Sequence, residues 1–421
     1  MLSIFVLFFL VFICIFLLRQ YPYKWIKFLL LVFFNLLVVE CFCYGYFIYL
    51  INKGESFFLI GNQWLLDRLI KSNLVGFLYI NPDRHNNFYQ IDKDLGYTIG
   101  KNKTDFVYHT NAEGIRADRN YPLIPSKDVL RMAVFGDSFV FCDWEPNKYT
   151  WPSYLERSVS NLEVMNFGVS GYGLGQSYAR YLKDGVKFHP DIVFFNYIEL
   201  GNRDRISAQD IFSGRLNIRQ SSLYRIHYEI KGDVLISKVI TPFDLFDPAF
   251  RQKYIYGPYN INYSHLFWSN KVFSVSNLGL FLKNIFLRKE VADLGVESEY
   301  SNTHVTAKLL NNLLSVAEEN GSKVIFFVSR EFRELEPEIQ DVLLRHSKDV
   351  LFINSRKALD AHFKARGVID KKTLLNKSGH YNARGNLYYA EVIASILKGR
   401  IWGRDGRRFR FDEARNAFVR M

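Results

Sequence analysis

Ser138 and His380 are the two residues whose types and settings point most directly to chemistry. Ser138 lies in Met132-Ala133-Val134-Phe135-Gly136-Asp137-Ser138-Phe139, an apolar run that ends in Gly-Asp-Ser. Such a run reads as a buried strand passing into a turn. A serine at the carboxyl end of that strand sits where open α/β sheets place their ligands, and it becomes a nucleophile if a base reaches its hydroxyl. The candidate general base is His380, in Ser378-Gly379-His380-Tyr381-Asn382-Ala383-Arg384-Gly385-Asn386. It would take the Ser138 proton and give it to a leaving alcohol. Two further blocks suit a developing oxyanion. Gly168 to Gly171, after Asn166-Phe167, can present an unobstructed backbone N–H, and Asn202 in Glu199-Leu200-Gly201-Asn202-Arg203-Asp204 can present a side-chain N–H. Each such donor is worth about 3–4 kcal/mol in acyl transfer.

These blocks need a frame. Apolar runs at Leu130–Phe135, Val164–Phe167, Asp191–Tyr197, Lys323–Val328 and Val350–Ile353 read as strands. Helical patterns are expected at about Asn147–Val159, from the glycine-rich run to about Lys187, and at Ala307–Glu319, Glu336–His346, Arg356–Lys364 and Ala383–Leu397. Strands alternating with helices predict an α/β domain over residues 129–398, with a parallel sheet and helices on both faces. Residues 205–300 break the alternation and are expected to form an inserted cap or substrate-binding layer, because they are too many for a plain loop. Tyr228-Glu229-Ile230-Lys231-Gly232-Asp233-Val234-Leu235 within it reads as a hairpin with exposed aromatics. Upstream, residues 54–128 form an extension expected to pack on the catalytic domain. Its Asp94–Tyr97 and Thr110–Arg116 stretches look like turns between short strands.

The order of the blocks carries a resemblance. Gly136-Asp137-Ser138 with Phe139, then Gly171, Asn202 and His380, all at strand ends, resembles the SGNH (GDSL-type) hydrolase family over about residues 110–397. Asn111-Ala112-Glu113-Gly114-Ile115-Arg116 resembles a segment that often precedes the nucleophile block in membrane-anchored members. The resemblance implies a flavodoxin-like sheet. It also implies a site of Ser138 and His380, with an oxyanion hole from the Ser138 N–H, the Gly171 N–H and the Asn202 amide. Two departures stand out. Leu200 and Arg203 flank the third block where the family has Gly and Asp, and no carboxylate stands two or three residues before His380. Losing that acid from a serine-protease triad costs about four orders of magnitude in turnover. Three arrangements are open: a backbone carbonyl, Asn376 or Ser378 orients His380; Asp370 swings in; or the site is catalytically dead.

Two apolar stretches open the chain, Leu2–Leu18 and Phe28–Ile51, separated by Arg19, Lys24 and Lys27. A span needs roughly 20 apolar residues, so residues 1–53 are expected to form a two-helix transmembrane hairpin. The first stretch lacks a basic leader and a small-residue cleavage site, which favours an uncleaved helix. The basic connector places the loop in the cytoplasm and the large domain outside, on a bacterial inner membrane with that domain periplasmic or extracellular. Glu40, inside the second stretch, is either a functional group or a protonated residue pairing within the hairpin.

The formal net charge is +12, and residues 399–421 are expected to form a basic solvated tail that could meet anionic lipid or glycan. Nucleic acid is not an expected partner. Four cysteines make neither a disulfide framework nor metal-ligand spacing, and no metal or cofactor is expected. Gly171-x-Gly173 fails the dinucleotide spacing because Gln176 stands where the third glycine belongs. Cys142 reads as a buried small hydrophobe. Asp137 reads as a structural residue that fixes the Ser138 turn. Tyr172 reads as pocket lining or packing, and Asn382 as a helix cap or a ligand group. The combined expectation is a membrane-anchored serine enzyme moving O-acyl groups, acetyl above all, on an envelope polysaccharide or glycolipid. Membrane lipid and a membrane acyl-donor protein are the expected partners. A degenerate domain that binds glycan or a membrane partner, and a lipase-like esterase, are the alternatives.

Overall fold

The computed structural model describes residues 88–105, 107–197, 225–240, 302–403 and 408–421, with a few isolated positions before residue 40. From residue 88 onward the described residues belong to one compact unit. The strands, in chain order, are β1 Tyr89–Asp92, β2 Gly96–Ile99, β3 Leu130–Gly136, β4 Leu162–Asn166, β5 Ile192–Tyr197, β6 Arg225–Lys231, β7 Val234–Ile240, β8 Lys323–Val328, β9 Val350–Asn354, β10 Phe409–Asp412 and β11 Ala417–Arg420. The helices are α1 Ser138–Phe141, α2 Trp151–Ser158, α3 Leu174–Arg180, α4 Asn302–Glu319, α5 Pro337–Arg345, α6 Ser355–Ala365 and α7 Ala383–Lys398.

Five strands form one sheet in the order β4-β3-β5-β8-β9, and each pairing is parallel. Numbered within the sheet this is 2-1-3-4-5, the flavodoxin-like order, whose direction of winding reverses between the first and third strands. Ser138 follows that first strand, with Asp137 between them.

Alternate residues of each strand serve opposite faces. Ala133, Phe135, Val193, Phe195, Val324 and Phe326 join one core, with Tyr178 of α3, Leu310 and Leu313 of α4 and Ile339 of α5. Met132, Val134, Ile192, Phe194, Ile325 and Phe327 join the other, with Trp151 of α2, Leu359 of α6 and Tyr389 of α7. Burial on both faces explains why these strands read as continuous apolar runs.

Several expectations change. The segment predicted as a helix from Asn147 is a 3-10 turn, Asn147–Tyr149, and α2 begins only after Thr150. The Thr150 hydroxyl accepts from the Ser153 N–H, and Pro152 fits the first turn of a helix but not its interior. Thr110–Arg116 is a turn but not one between strands. Asn111 closes it by accepting from the Gly114 and Ile115 N–H groups with its carbonyl and side chain respectively. Tyr228 is buried rather than exposed, and its hydroxyl donates to the Gly175 carbonyl at 2.9 Å.

The basic tail is a folded hairpin. β10 and β11 pair antiparallel, Phe409 and Phe418 are fully buried in the core on the α7 side, and Ser160 bridges to Ala417. Aromatics on the inner side of two short strands pull in the backbone that carries the arginines. The apolar stretches at 2–18 and 28–51 and Glu40 lie outside the described residues, apart from isolated helical positions between 32 and 39. No helix among the described residues is long and apolar enough to cross a membrane.

Candidate active site

Ser138 opens α1, a single helical turn at the carboxyl end of β3. Asp137 caps that turn, its carboxylate accepting from the Phe139 N–H at 2.9 Å. Space forces the glycines on either side. A Cβ at Gly168 would stand 2.5 Å from the Phe141 nitrogen, and one at Gly136 would stand 2.7 Å from the Asn196 carbonyl. The turn can therefore nestle against β4 only where side chains are missing. Asn166, at the end of β4, fastens it by donating to the Val140 carbonyl at 2.9 Å.

Beyond α1 the chain bends sharply, with Cys142 at φ 61° and Trp144 at φ 70°. Non-glycine residues seldom hold such angles unless their surroundings fix them. Here Arg116 fixes them. Its guanidinium is buried and donates to the carbonyls of Phe141, Cys142 and Glu145, while its Nε donates to Asn147 Oδ1 at 3.0 Å. A cation suits this place, because the carbonyls closing a helical turn carry partial negative charge. Tyr108 adds a second tie by accepting from the Trp144 N–H at 2.8 Å. Burial and the nearby Asp143 carboxylate push the Tyr108 phenol up to about 12, so it stays neutral. Burial also pushes the Cys142 thiol up to about 12, and the side chain packs as a small hydrophobe.

His380 arrives on a different device. Residues 375–381 form a tight turn in which the Asn376 N–H donates to the His380 carbonyl at 2.8 Å, with Gly379 at φ 86°. The turn leads into α7, whose N-cap is Asn382, accepting from the Gly385 N–H at 3.0 Å. This turn brings His380 Nε2 to 2.7 Å from Ser138 Oγ across 242 residues of sequence. The Phe139 ring lies 5.0 Å from the imidazole and limits its tilt.

The proton arrangement follows from the partners. Asn376 Nδ2 donates to the Asp143 carbonyl at 3.0 Å, so Oδ1 faces its own turn and accepts from the Ser378 and His380 N–H groups. That amide oxygen can only accept. Ser378 Oγ, 2.6 Å away, therefore donates its proton to it and offers a lone pair to His380 Nδ1 at 2.8 Å. Nδ1 then carries the ring proton, and Nε2 is left to accept from the Ser138 hydroxyl. The tautomer is inferred from this chain of donors. Ser378 is the side chain that reaches Nδ1, with Asn376 behind it. Asp370 is exposed and instead caps the 371–374 turn by accepting from the Lys372 N–H at 2.9 Å.

Gly171 sits at φ 80°, third in a turn closed by Tyr172 N–H donating to the Val169 carbonyl at 3.1 Å. A type II turn requires such an angle there and favours glycine. Tyr97 Oη donates to the Ser170 carbonyl at 2.9 Å. In a trans peptide the N–H points opposite to the carbonyl, so the Gly171 N–H faces away from Tyr97. Tyr172 is buried among Phe88, Tyr97, Ile99, Tyr108, Phe141 and Val169, which makes it packing rather than pocket lining. Asn202 lies outside the described residues. One site residue escaped sequence reasoning altogether: Asp143, whose Oδ2 lies 3.9 Å from His380 Nε2. Among the described residues no cluster of side chains could hold a metal ion.

No protein-family model matches the chain, and no curated protein does. Solved structures similar to it include lipolytic and ester-cleaving enzymes. One is a member of the lipolytic G-D-S-L family from Veillonella parvula, at 11 % identity and TM-score 0.31 over 64 % of this chain and 98 % of that one. Another is a catalytic mutant of an acetylxylan esterase from Geobacillus stearothermophilus, at 13 % identity and TM-score 0.30 over 63 % of this chain and 93 % of that one.

Proposed function

We propose that this chain is a membrane-anchored serine enzyme of the SGNH type that transfers or hydrolyses O-acyl groups, acetyl foremost, on an envelope polysaccharide or glycolipid. One observation carries the chemistry: the chain of hydrogen bonds from Asn376 through Ser378 and His380 to Ser138 Oγ. Ser138 Oγ attacks the ester carbonyl as its proton passes to His380 Nε2. The Ser138 and Gly171 N–H groups and the Asn202 amide receive the oxyanion. His380 returns the proton to the departing alcohol oxygen and leaves an acyl-Ser138. Water or a sugar hydroxyl, deprotonated by the same Nε2, then attacks the acyl carbon; the acyl–Oγ bond breaks and Nε2 returns the proton to Ser138 Oγ. The anchor reading rests on the apolar stretches at 2–18 and 28–51, and the periplasmic or extracellular placement on Arg19, Lys24 and Lys27 between them. The known anchored members of polysaccharide-modification systems tilt the reading toward transfer.

A fluorophosphonate serine probe tests the chemistry. Labelling of the full chain, lost in both Ser138→Ala and His380→Ala, is the expected result. Acetyl transfer from a donor ester to offered glycan acceptors then separates transferase from esterase, and delivery to water alone rejects transfer. A cytoplasm-only reporter fused after Ile60 should stay silent, and its activity would overturn the topology. The neutral hydroxyl on Nδ1, where a carboxylate is usual, favours a second reading: a degenerate domain that binds glycan. Glycan binding that survives Ser138→Ala, in a parent that neither labels nor turns over, would select it.

A further inference from the structure

The carboxylate missing ahead of His380 has a counterpart on the opposite edge of the ring. Asp143 Oδ2 lies 3.9 Å from Nε2, and both side chains are 19 % exposed. That distance is too long for a hydrogen bond, so the Nε2 lone pair stays with Ser138, but it is short enough for an ion pair once the ring is charged. Asp143 is also held in place. Ser170 Oγ donates to its Oδ1 at 2.5 Å, Asn376 Nδ2 donates to its carbonyl, Arg116 holds the loop around it through the carbonyls of Phe141, Cys142 and Glu145, and Tyr108 Oη accepts from the Trp144 N–H. A mere surface acid needs none of this.

We propose that the task of the usual third residue is divided in two here. Ser378 sets the orientation and tautomer of His380 from Nδ1, and Asp143 supplies from the Nε2 edge the negative charge that favours the imidazolium. The proposal rests on the reading of Ser138 as nucleophile and His380 as base. The proton leaves Ser138 Oγ, resides on Nε2 and passes to the leaving alcohol; Asp143 stays ionised throughout and takes no proton. It is a positioning residue that acts through His380. The titratable groups of the surrounding elements are Asp137, Cys142 and Glu145 near it in sequence, Tyr89 and Tyr108 on the N-terminal segment, Arg116 under the loop, and Lys377 and Tyr381 on the turn of His380. Arg116 carries a charge of opposite sign and interacts with Asp143 electrostatically, while its guanidinium donates to the backbone carbonyls of Phe141, Cys142 and Glu145.

The test is a titration of the full chain in detergent, with 13C-labelled histidine and the His380 signal assigned by its loss in His380→Ala. Beside it runs the pH profile of kcat/KM for p-nitrophenyl acetate. A nearby carboxylate stabilises the charged ring, so Asp143→Asn should lower the His380 midpoint by about one pH unit. The ascending limb of the profile should move to lower pH by the same amount while its plateau falls about tenfold. Asp143→Glu should keep the midpoint. Ser378→Ala should lower the plateau without moving the midpoint, because a hydroxyl carries no charge. Asp143→Ser is the neutral substitute if Asn disturbs the loop. An unchanged His380 midpoint in a folded neutral variant would overturn the proposal. If the parent turns over no ester, the ring titration still decides the ion pair, and it is the serine-enzyme reading that falls.

Discussion

The nucleophile turn and the histidine turn meet at 2.7 Å but are built on opposite principles. Ser138 is held from behind by the core. Gly136 and Gly168 allow close contact with the neighbouring strands, Asn166 fastens the helical turn, and buried Arg116 gathers the carbonyls of the loop beyond. His380 is held from within its own turn, by Asn376 and Ser378 at a partly exposed edge. The first arrangement ties geometry to global stability, since the groups that place Ser138 are the groups that keep the core closed. The second separates them, because a short local network can change without disturbing the sheet. The histidine side of the site can therefore change at little cost to the fold.

Substitutions can break or sharpen that contrast. The largest effect belongs to Ser138→Ala, expected to reduce ester turnover by about 10^4-fold or more while leaving the unfolding midpoint unchanged. Arg116→Met should destabilise by about 3 kcal/mol in denaturant unfolding, since several buried carbonyls lose their donor together. Were it instead to cost activity alone, the nucleophile side would not be tied to stability. Gly168→Ala should cost about 2 kcal/mol, because its methyl group forces α1 away from β4. Ser378→Ala should lower kcat about tenfold, roughly 1.4 kcal/mol, with no change in melting temperature; a large loss of stability there would erase the contrast. The smallest effect is expected at Cys142. At 2 % exposure and with its thiol pushed up to about 12, it should resist iodoacetamide at pH 8, as peptide mapping would record.

Much of this was legible in the sequence. The five sheet strands and their helices were placed within a few residues, because burial on both faces writes each strand as a plain apolar run. Ser138 and His380, which the structure brings within 2.7 Å of each other, stand out as candidates because each lies at a turn with local punctuation. Charge hid other features. The period-two pattern of Phe409 and Phe411 is interleaved with Arg408 and Arg410, so a hairpin read as a solvated tail. Asp143 draws no attention in the sequence, since nothing in Cys142-Asp143-Trp144 announces the left-handed residues on either side of it. Tyr228 read as exposed because its strand alternates with charge, and the glycine at 175 that receives its ring lies 53 residues upstream. Ser378 is one of several candidates for the histidine partner in the sequence, and its 2.8 Å approach to Nδ1 in the folded turn selects it.

The β10–β11 hairpin also sets a timetable for folding. Asn161 Nδ2 donates to the Phe418 carbonyl and Asn416 Nδ2 to the Ser158 carbonyl, joining partners 257 and 258 residues apart. At ribosomal speed that separation means roughly 10–50 s between synthesis of the two sides. Throughout that interval the α2–β4 corner lacks the cover that Phe409 and Phe418 later provide. Its closure depends on a late, long-range contact rather than on local structure, the kind of step that slows folding and leaves apolar surface open to association. A nascent chain interrupted before residue 409 would carry both site turns and still be missing the piece that seals the α2–β4 corner.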